Sequence, residues 1–216
     1  MSRTVIIGGH GKVALHLARI LTANGDQTTS VFRNADHTDD VAATGATPVV
    51  ADIEALDTAA LAQILAGHDA VVFTAGAGGG DPARTYSVDR DAAIRVIDAA
   101  RDAQVPRFVI VSYFGAGKDH GVSEDNSFYA YAEAKAAADA HLRDSDLQWT
   151  VLGPGGLTLD PATGRIAVGP DAADGKVSRE DVAAVIAAAL ADDSSIGRTI
   201  EFNNGEVPIA EAIAAD

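Results

Sequence analysis

Two kinds of hydrophobic pattern alternate along the chain. Short runs rich in Val, Ile, Phe and Thr recur at Thr4–Ile7, Thr28–Arg33, Thr47–Val50, Ala70–Ala75, Phe108–Ser112, Trp149–Leu152 and Thr199–Asn203, and each reads as a strand. Between them lie alanine-rich stretches whose apolar positions return every three or four residues, the repeat of a helix with one buried face. In the first of these, Lys12–Asn24, the residues Val13, Leu17, Ile20 and Leu21 fall at helical spacing, and Gly25 stands where a helix stops. The same reading predicts a short helical piece over Asp39–Thr44 and helices over Asp57–Ala66, Tyr86–Gln104, Phe128–Asp144 and Arg179–Ala191. Ala70–Ala75 is apolar at nearly every position, as for a strand covered on both faces.

Strands alternating with helices imply parallel pairing through right-handed crossovers, with helices on both faces of the sheet. The expected fold is therefore α/β, a doubly wound parallel sheet of the Rossmann type. Neither a Pro/Ser-rich linker nor an internal repeat interrupts it. The reading is one domain over residues 1–216, with about 150–216 forming a small extension on the substrate side. Ligands of such sheets sit at the carboxyl ends of the strands. That directs attention to the loops Gly8–Gly11, Arg33–Ala35, Gly76–Asp81, Tyr113–Ser127 and Gly153–Pro170.

Composition narrows the partners. Hydrophobic residues are 47% and charged residues 22%, an ordinary globular balance. Sixteen Lys and Arg face 31 Asp and Glu, a net charge of −15, which opposes nucleic acid and anionic membranes. The absence of cysteine rules out disulfides, thiolate nucleophiles and Cys-ligated metal centres. The N-terminus lacks the basic and apolar regions of a signal peptide, and no apolar run approaches the roughly 20 residues of a membrane span. A cytoplasmic protein with a small-molecule substrate, as a monomer or homodimer, is expected.

The loop Gly8-Gly9-His10-Gly11-Lys12-Val13-Ala14 follows the first strand and opens the first helix, in the pattern G-x-x-G-x-x-A. Gly8 permits the tight turn, Gly11 lets a pyrophosphate approach, and Ala14 allows close helix–strand packing. The exposed amides at the helix start then receive the phosphates. The spacing excludes a Walker phosphate loop. At the end of the second strand, where NAD enzymes usually carry Asp or Glu, this chain has Arg33. A guanidinium there suits the 2′-phosphate of NADP, so NADP (NADPH) is the expected cofactor. Tyr131 and Lys135 lie four residues apart, on one helix face with about 6 Å of rise between them. A phenol is a poor acid–base catalyst at neutral pH, and a nearby ammonium stabilises its anion.

With Ser112 at a strand end and Asp89 within Tyr86-Ser87-Val88-Asp89-Arg90, the chain resembles the short-chain dehydrogenase/reductase superfamily. The likeness is to its atypical branch of small NADP-binding, NAD(P)-dependent epimerase/dehydratase-like proteins. It extends over essentially the whole chain, through Val31-Phe32-Arg33, Ala51-Asp52-Ile53, Ala83 to Asp89, Arg107 to Ser112, Tyr131 to Lys135, Trp149 to Leu152 and Val177 to Ala183. The resemblance implies cofactor contacts from Gly8, Gly9, His10, Gly11, Lys12, Val13, Arg33, Asp52, Ile53, Ala75, Gly76 and Lys135. It implies that Tyr131 is the general acid, that Ser112 hydrogen-bonds the substrate oxygen, and that Lys135 lowers the tyrosine pKa. Asp89 stands where the superfamily usually has Asn, and a buried carboxylate there would cancel part of the field of Lys135. Gly153-Pro154-Gly155 replaces the family's Arg-Pro-Gly.

The function implied is an NADP(H)-dependent oxidoreductase acting on a small carbonyl, alcohol or quinone-like substrate. The alternatives are a non-catalytic NADP(H) sensor, a flavin or tetrapyrrole reductase, and an epimerase/dehydratase. The six histidines show no metal-ligand spacing, and His10 alone is placed to touch a phosphate. The run Gly78-Gly79-Gly80 reads equally as a flap or a flexible turn.

Overall fold

The computed structural model describes residues 1–78, 80–172 and 175–214. Its strands are β1 (Arg3–Ile7), β2 (Gln27–Phe32), β3 (Thr47–Val50), β4 (Ala70–Phe73), β5 (Arg107–Val111), β6 (Gln148–Pro154), β7 (Gly156–Thr158), β8 (Arg165–Val168), β9 (Lys176–Ser178), β10 (Arg198–Asn204) and β11 (Val207–Pro208). The helices are α1 (Lys12–Ala23), α2 (Thr38–Ala42), α3 (Thr58–Leu65), α4 (Pro82–Thr85), α5 (Ala93–Asp102), α6 (Tyr129–Arg143), α7 (Arg179–Ala191) and α8 (Ile209–Ala214). Among the described residues one nine-stranded sheet runs β11-β8-β10-β6-β5-β4-β1-β2-β3, and β7 pairs with β9 in a separate ribbon. The order from β3 to β6 is that of a doubly wound dinucleotide-binding sheet, reversing between β1 and β4.

The apolar runs explain the two cores. Successive side chains of a strand point to opposite faces. Ile6, Val72 and Val109 therefore pack with Leu17, Leu21, Val182 and Ile186 of α1 and α7. Their neighbours Val5, Ile7, Val71, Phe73, Phe108 and Ile110 pack on the other face with Leu61, Leu65, Val96, Ile97 and Leu142 of α3, α5 and α6. At the start of β5, buried Arg107 donates to the carbonyls of Gln148 (2.7 Å) and Ala189 (2.9 Å) and to Thr150 Oγ1 and Ser195 Oγ (both 2.8 Å). It ties β5 to β6, to α7 and to the turn after it.

The expected doubly wound parallel sheet is present, extended at one edge by strands that the sequence did not show: β8 runs antiparallel to β10 and β11 antiparallel to β8. β9 and α7 lie between β8 and β10 in the chain, so this antiparallel edge is reached through a long connection and not through a hairpin. The helix expected over Tyr86–Gln104 begins earlier and is not uniform. Asp81 caps α4 by accepting from Ala83 N (2.9 Å), Pro82 occupies its first turn, and a π-helical stretch, Tyr86–Ala92, separates α4 from α5. That widened turn carries Asp89, which is buried. Gly79, the centre of the glycine run, lies outside the described residues. No helix among the described residues is long and apolar enough to cross a membrane.

Candidate active site

The first loop fits a pyrophosphate cradle. Gly8 has a φ of +87°, and a Cβ there would sit 2.7 Å from the backbone of Ala75. A Cβ on Gly9 would lie 2.5 Å from Ser30 Cβ, so the loop lies hard against both neighbouring strands. Gly8 N and Gly9 N both donate to Val31 O (3.0 and 2.8 Å), which fixes the turn. The helix that follows has no side-chain cap, no acidic residue in its first turn, and a first internal bond from Leu15 N to Gly11 O. The amides of Lys12, Val13 and Ala14 thus face the loop without helical partners, at the positive end of the dipole.

Two adjoining cavities open at the carboxyl ends of the strands. One, of about 450 Å³, is lined by Gly8, His10, Gly11, Arg33, Asp52 and Ile53 among others; a second, of about 710 Å³, by Val13, Asp89, Ser112, Phe128, Tyr131, Lys135 and Leu157. Thr74, Ala75, Gly76 and Ala77 line both. The loop after β4 therefore joins a polar half beside the glycine turn to a more apolar half beside Tyr131, as an extended dinucleotide requires. Of the residues implied by resemblance, Gly9 and Lys12 line neither cavity. Gly9 shapes the turn from behind, and the Lys12 side chain is exposed. From the loop Tyr113–Ser127 only Ser127 reaches the second cavity, and from Gly153–Pro170 only Leu157.

Three features of the first cavity escape the sequence. Glu54 accepts from Arg33 (3.1 Å) and from Arg84 (3.3 Å), and Arg84 also donates to the carbonyl of Ala77. Asp52 accepts the Glu54 amide (3.0 Å), which turns the chain after β3. The rings of His10 and His37 stack at 3.6 Å with planes 2° apart, and His10 Nε2 lies 3.1 Å from Asp40. Candidate ligand atoms of these last three residues lie within 4.8 Å of one another. The in-plane lone pairs of parallel rings do not converge on one ion, so the observed arrangement is a stack that braces the loop.

In the second cavity α6 presents Tyr131, Lys135 and Asp139 on one face, at successive steps of four residues. Lys135, 1% exposed, donates from Nζ to the Val111 carbonyl (2.7 Å). Ser112 Oγ donates to Asp139 Oδ2 at 2.5 Å, and the other oxygen of Asp139 is buried with no partner among the described residues. Asp89 accepts from the Ala77 amide (3.0 Å), so the π-helical turn steadies the loop shared by both cavities. Burial pushes the Asp89 and Asp139 carboxyls up, with Lys135 opposing, and burial pushes Lys135 down, with the two carboxylates opposing.

These contacts bear on two implied roles. Burial drives the Tyr131 phenol far above its ordinary value, and Asp89, Asp139 and Tyr113 add to the rise. Lys135 is not among the groups that move it; its Nζ donates to the Val111 carbonyl and lies in the field of the Asp89 and Asp139 carboxyls. The hydroxyl of Ser112 is engaged by Asp139 instead of facing the cavity as a free donor. Tyr131 packs against Tyr113 (5.6 Å) and Phe128 (5.1 Å), while Tyr129 stacks edge-on with His120 and stays out of the cavity. Asp139 had a signal in the sequence, the third place in the series Tyr131–Lys135–Asp139. Glu54 and Arg84 had none, since Glu54 meets Arg33 and Arg84 only through the fold.

A Rossmann sheet with a glycine cradle and a cleft spanning its switch point defines a dinucleotide-binding protein. Residues 8–193 match the family model described as NAD(P)H-binding. The chain is 36% identical to a UPF0659 protein of Schizosaccharomyces pombe, over 99% of this chain and 94% of the relative. Its structure is similar to that of a Bacillus halodurans protein described as an NAD-dependent epimerase/dehydratase, with a TM-score of 0.90, 32% identity and 99% of each chain covered. It is also similar to an oxidoreductase of Lactococcus lactis, with a TM-score of 0.85, 26% identity, and 98% and 94% covered. The chain belongs to the NAD(P)H-binding family.

Proposed function

We propose that this chain is an NADP(H)-dependent oxidoreductase whose substrate is a small carbonyl, alcohol or quinone-like compound. The observation that carries the reading is the convergence of Tyr131, Lys135, Ser112 and Asp89 on the larger cavity, which adjoins the glycine cradle through Thr74–Ala77. When bound, the nicotinamide supplies or accepts the hydride. The chain's residues do the rest. Gly8 to Gly11 and the first amides of α1 hold the phosphates, and Arg33 faces the adenosine end. Tyr131 is the proton donor in this reading; burial raises its phenol and so weakens it as an acid, which leaves its placement in the cavity to supply the advantage. Lys135 lies in the floor of the cavity against the Val111 carbonyl, and the segment from about residue 150 contributes the outer wall through Leu157. Val13, Pro82, Phe128 and Leu157 make that wall apolar, which suits a planar or aliphatic substrate better than a sugar nucleotide.

A second reading is a flavin- or quinone-type reductase in which Tyr131 is only a wall. It draws on the engaged Ser112 hydroxyl and on a tyrosine that Lys135 does not acidify. One experiment separates the two: NADPH consumption against aldehydes, dicarbonyls, quinones and flavins, with Tyr131→Phe beside the wild type. Loss of turnover by about 100-fold or more, with NADPH still bound, supports Tyr131 as the acid. Turnover indifferent to the substitution selects the second reading. Silence across the panel, with NADPH bound, points to a sensor that binds the cofactor without turning it over.

A further inference from the structure

The smaller cavity does not have the charge of a site built for NADPH alone. Its lining carries two guanidiniums, Arg33 and Arg84, and two carboxylates, Asp52 and Glu54. Glu54 is the best held of the four. Its side chain is 22% exposed, against 55% for Arg33 and 33% for Arg84. One oxygen accepts from both guanidiniums, and the other lies 3.5 Å from Ser87 Oγ on the π-helical turn. Arg84 is anchored in addition by the carbonyl of Ala77. Arg33, the residue positioned for a 2′-phosphate, is thus already paired with an internal anion.

We propose that Glu54 is a specificity-determining residue of the adenosine site: its carboxylate competes with the 2′-phosphate of NADPH for Arg33, so that the chain takes NADH as well as NADPH. This rests on the dinucleotide reading above. The chemistry separates the two cofactors. The ribose of NADH carries a 2′-hydroxyl, a donor that suits a carboxylate and leaves the Arg33–Glu54–Arg84 arrangement in place. The ribose of NADPH brings a phosphate of charge about −1.5 to −2, which needs Arg33 for itself and repels Glu54. Two guanidiniums then face two anions where one had sufficed. Arg84 can retain Glu54 while Arg33 turns to the phosphate, so NADPH binding is opposed and not abolished. Because Arg33 and Glu54 are partly in solvent, the opposition is modest and screened by salt.

The test is calorimetric titration of the full chain with NADPH and with NADH, for wild type, Glu54→Gln, Arg33→Gln and the double variant, at low and high salt. Thermal melting of each variant checks that it is folded. Glu54→Gln is expected to tighten NADPH about tenfold and to change NADH less than about threefold, with the gain shrinking at high salt. In the Arg33→Gln background the gain should vanish, because the object of competition is gone. Weaker NADPH binding in Glu54→Gln would overturn the proposal and make Glu54 a residue that orients Arg33 for the phosphate. A gain that persists without Arg33 would overturn it in favour of plain repulsion. Wild type that binds neither dinucleotide would instead sink the cofactor reading from which the proposal starts.

Discussion

Strand β5 has a buried cation at each end, and the two are housed in opposite ways. At its start, Arg107 hydrogen-bonds only to neutral acceptors, two carbonyls and two hydroxyls at 2.7–2.9 Å and the Phe108 carbonyl at 3.4 Å, with Asp193 adding a favourable field. Burial lowers its pKa to about 10, yet the guanidinium stays charged at any physiological pH. At the other end, Lys135 gives a hydrogen bond to Val111 and lies in the field of two buried carboxylates, one with an oxygen left unpartnered. The first end is saturated and sealed, as a structural clamp should be. The second is under-satisfied and opens on a cavity, the condition under which proton positions and pKa values become adjustable. Catalytic machinery is to be sought at the second end, and stability at the first.

The largest effect that would break this comparison is on stability. Arg107→Met leaves Thr150, Ser195 and two carbonyls without their donor. It should cost about 2–4 kcal/mol in denaturant unfolding, while NADPH affinity of the folded fraction is retained. A loss under about 1 kcal/mol would show that the clamp carries little of the fold. Lys135→Met should reverse the pattern. Turnover with any active acceptor is expected to fall about 100-fold. Unfolding should move less than in Arg107→Met, because Asp89 and Asp139, left without their cation, can neutralise themselves by taking up protons, which Arg107's orphaned partners cannot do. Equal stability losses in the two variants would erase the distinction.

The smallest effect concerns pH. The Asp139 carboxyl is raised in the folded chain, so the stability it contributes is complete below the unfolded carboxyl pKa. That contribution is lost as pH rises through the folded value. Asp139→Asn removes this titration, and its stability should therefore decline less than that of wild type between mildly acidic and neutral pH. Urea midpoints across that range provide the check. An unchanged slope would mean that Lys135 already holds the carboxyl ionised throughout.

Elements whose pattern is local were readable before the fold. Lys12 to Asn24 declared α1, and Gly25 ended it through the bonds Gly25 N to Thr22 O and Asp26 N to Leu21 O. The boundaries of β3 and α7 fall where the sequence placed them. The π-helical turn did not show, because its widening depends on how Asp89 is drawn under Ala77 and not on the composition of the segment. The late antiparallel strands were missed because runs of two to four residues carry too little periodicity to register.

The candidate site divides along the same line. Glycine spacing, the arginine after the second strand and the Tyr131–Lys135 step are consequences of a turn, a strand end and a helix pitch, each settled within a few residues. Which groups share a proton or a charge was decided only in three dimensions. Ser112 finds Asp139, Glu54 joins Arg33 to Arg84, and His10 finds His37, all because loops and helices distant in the chain converge at the carboxyl ends of the strands. Burial is likewise a property of the packed molecule. It raises Tyr131, with Asp89, Asp139 and Tyr113 adding to the rise, and none of these neighbours is visible in the four-residue step to Lys135.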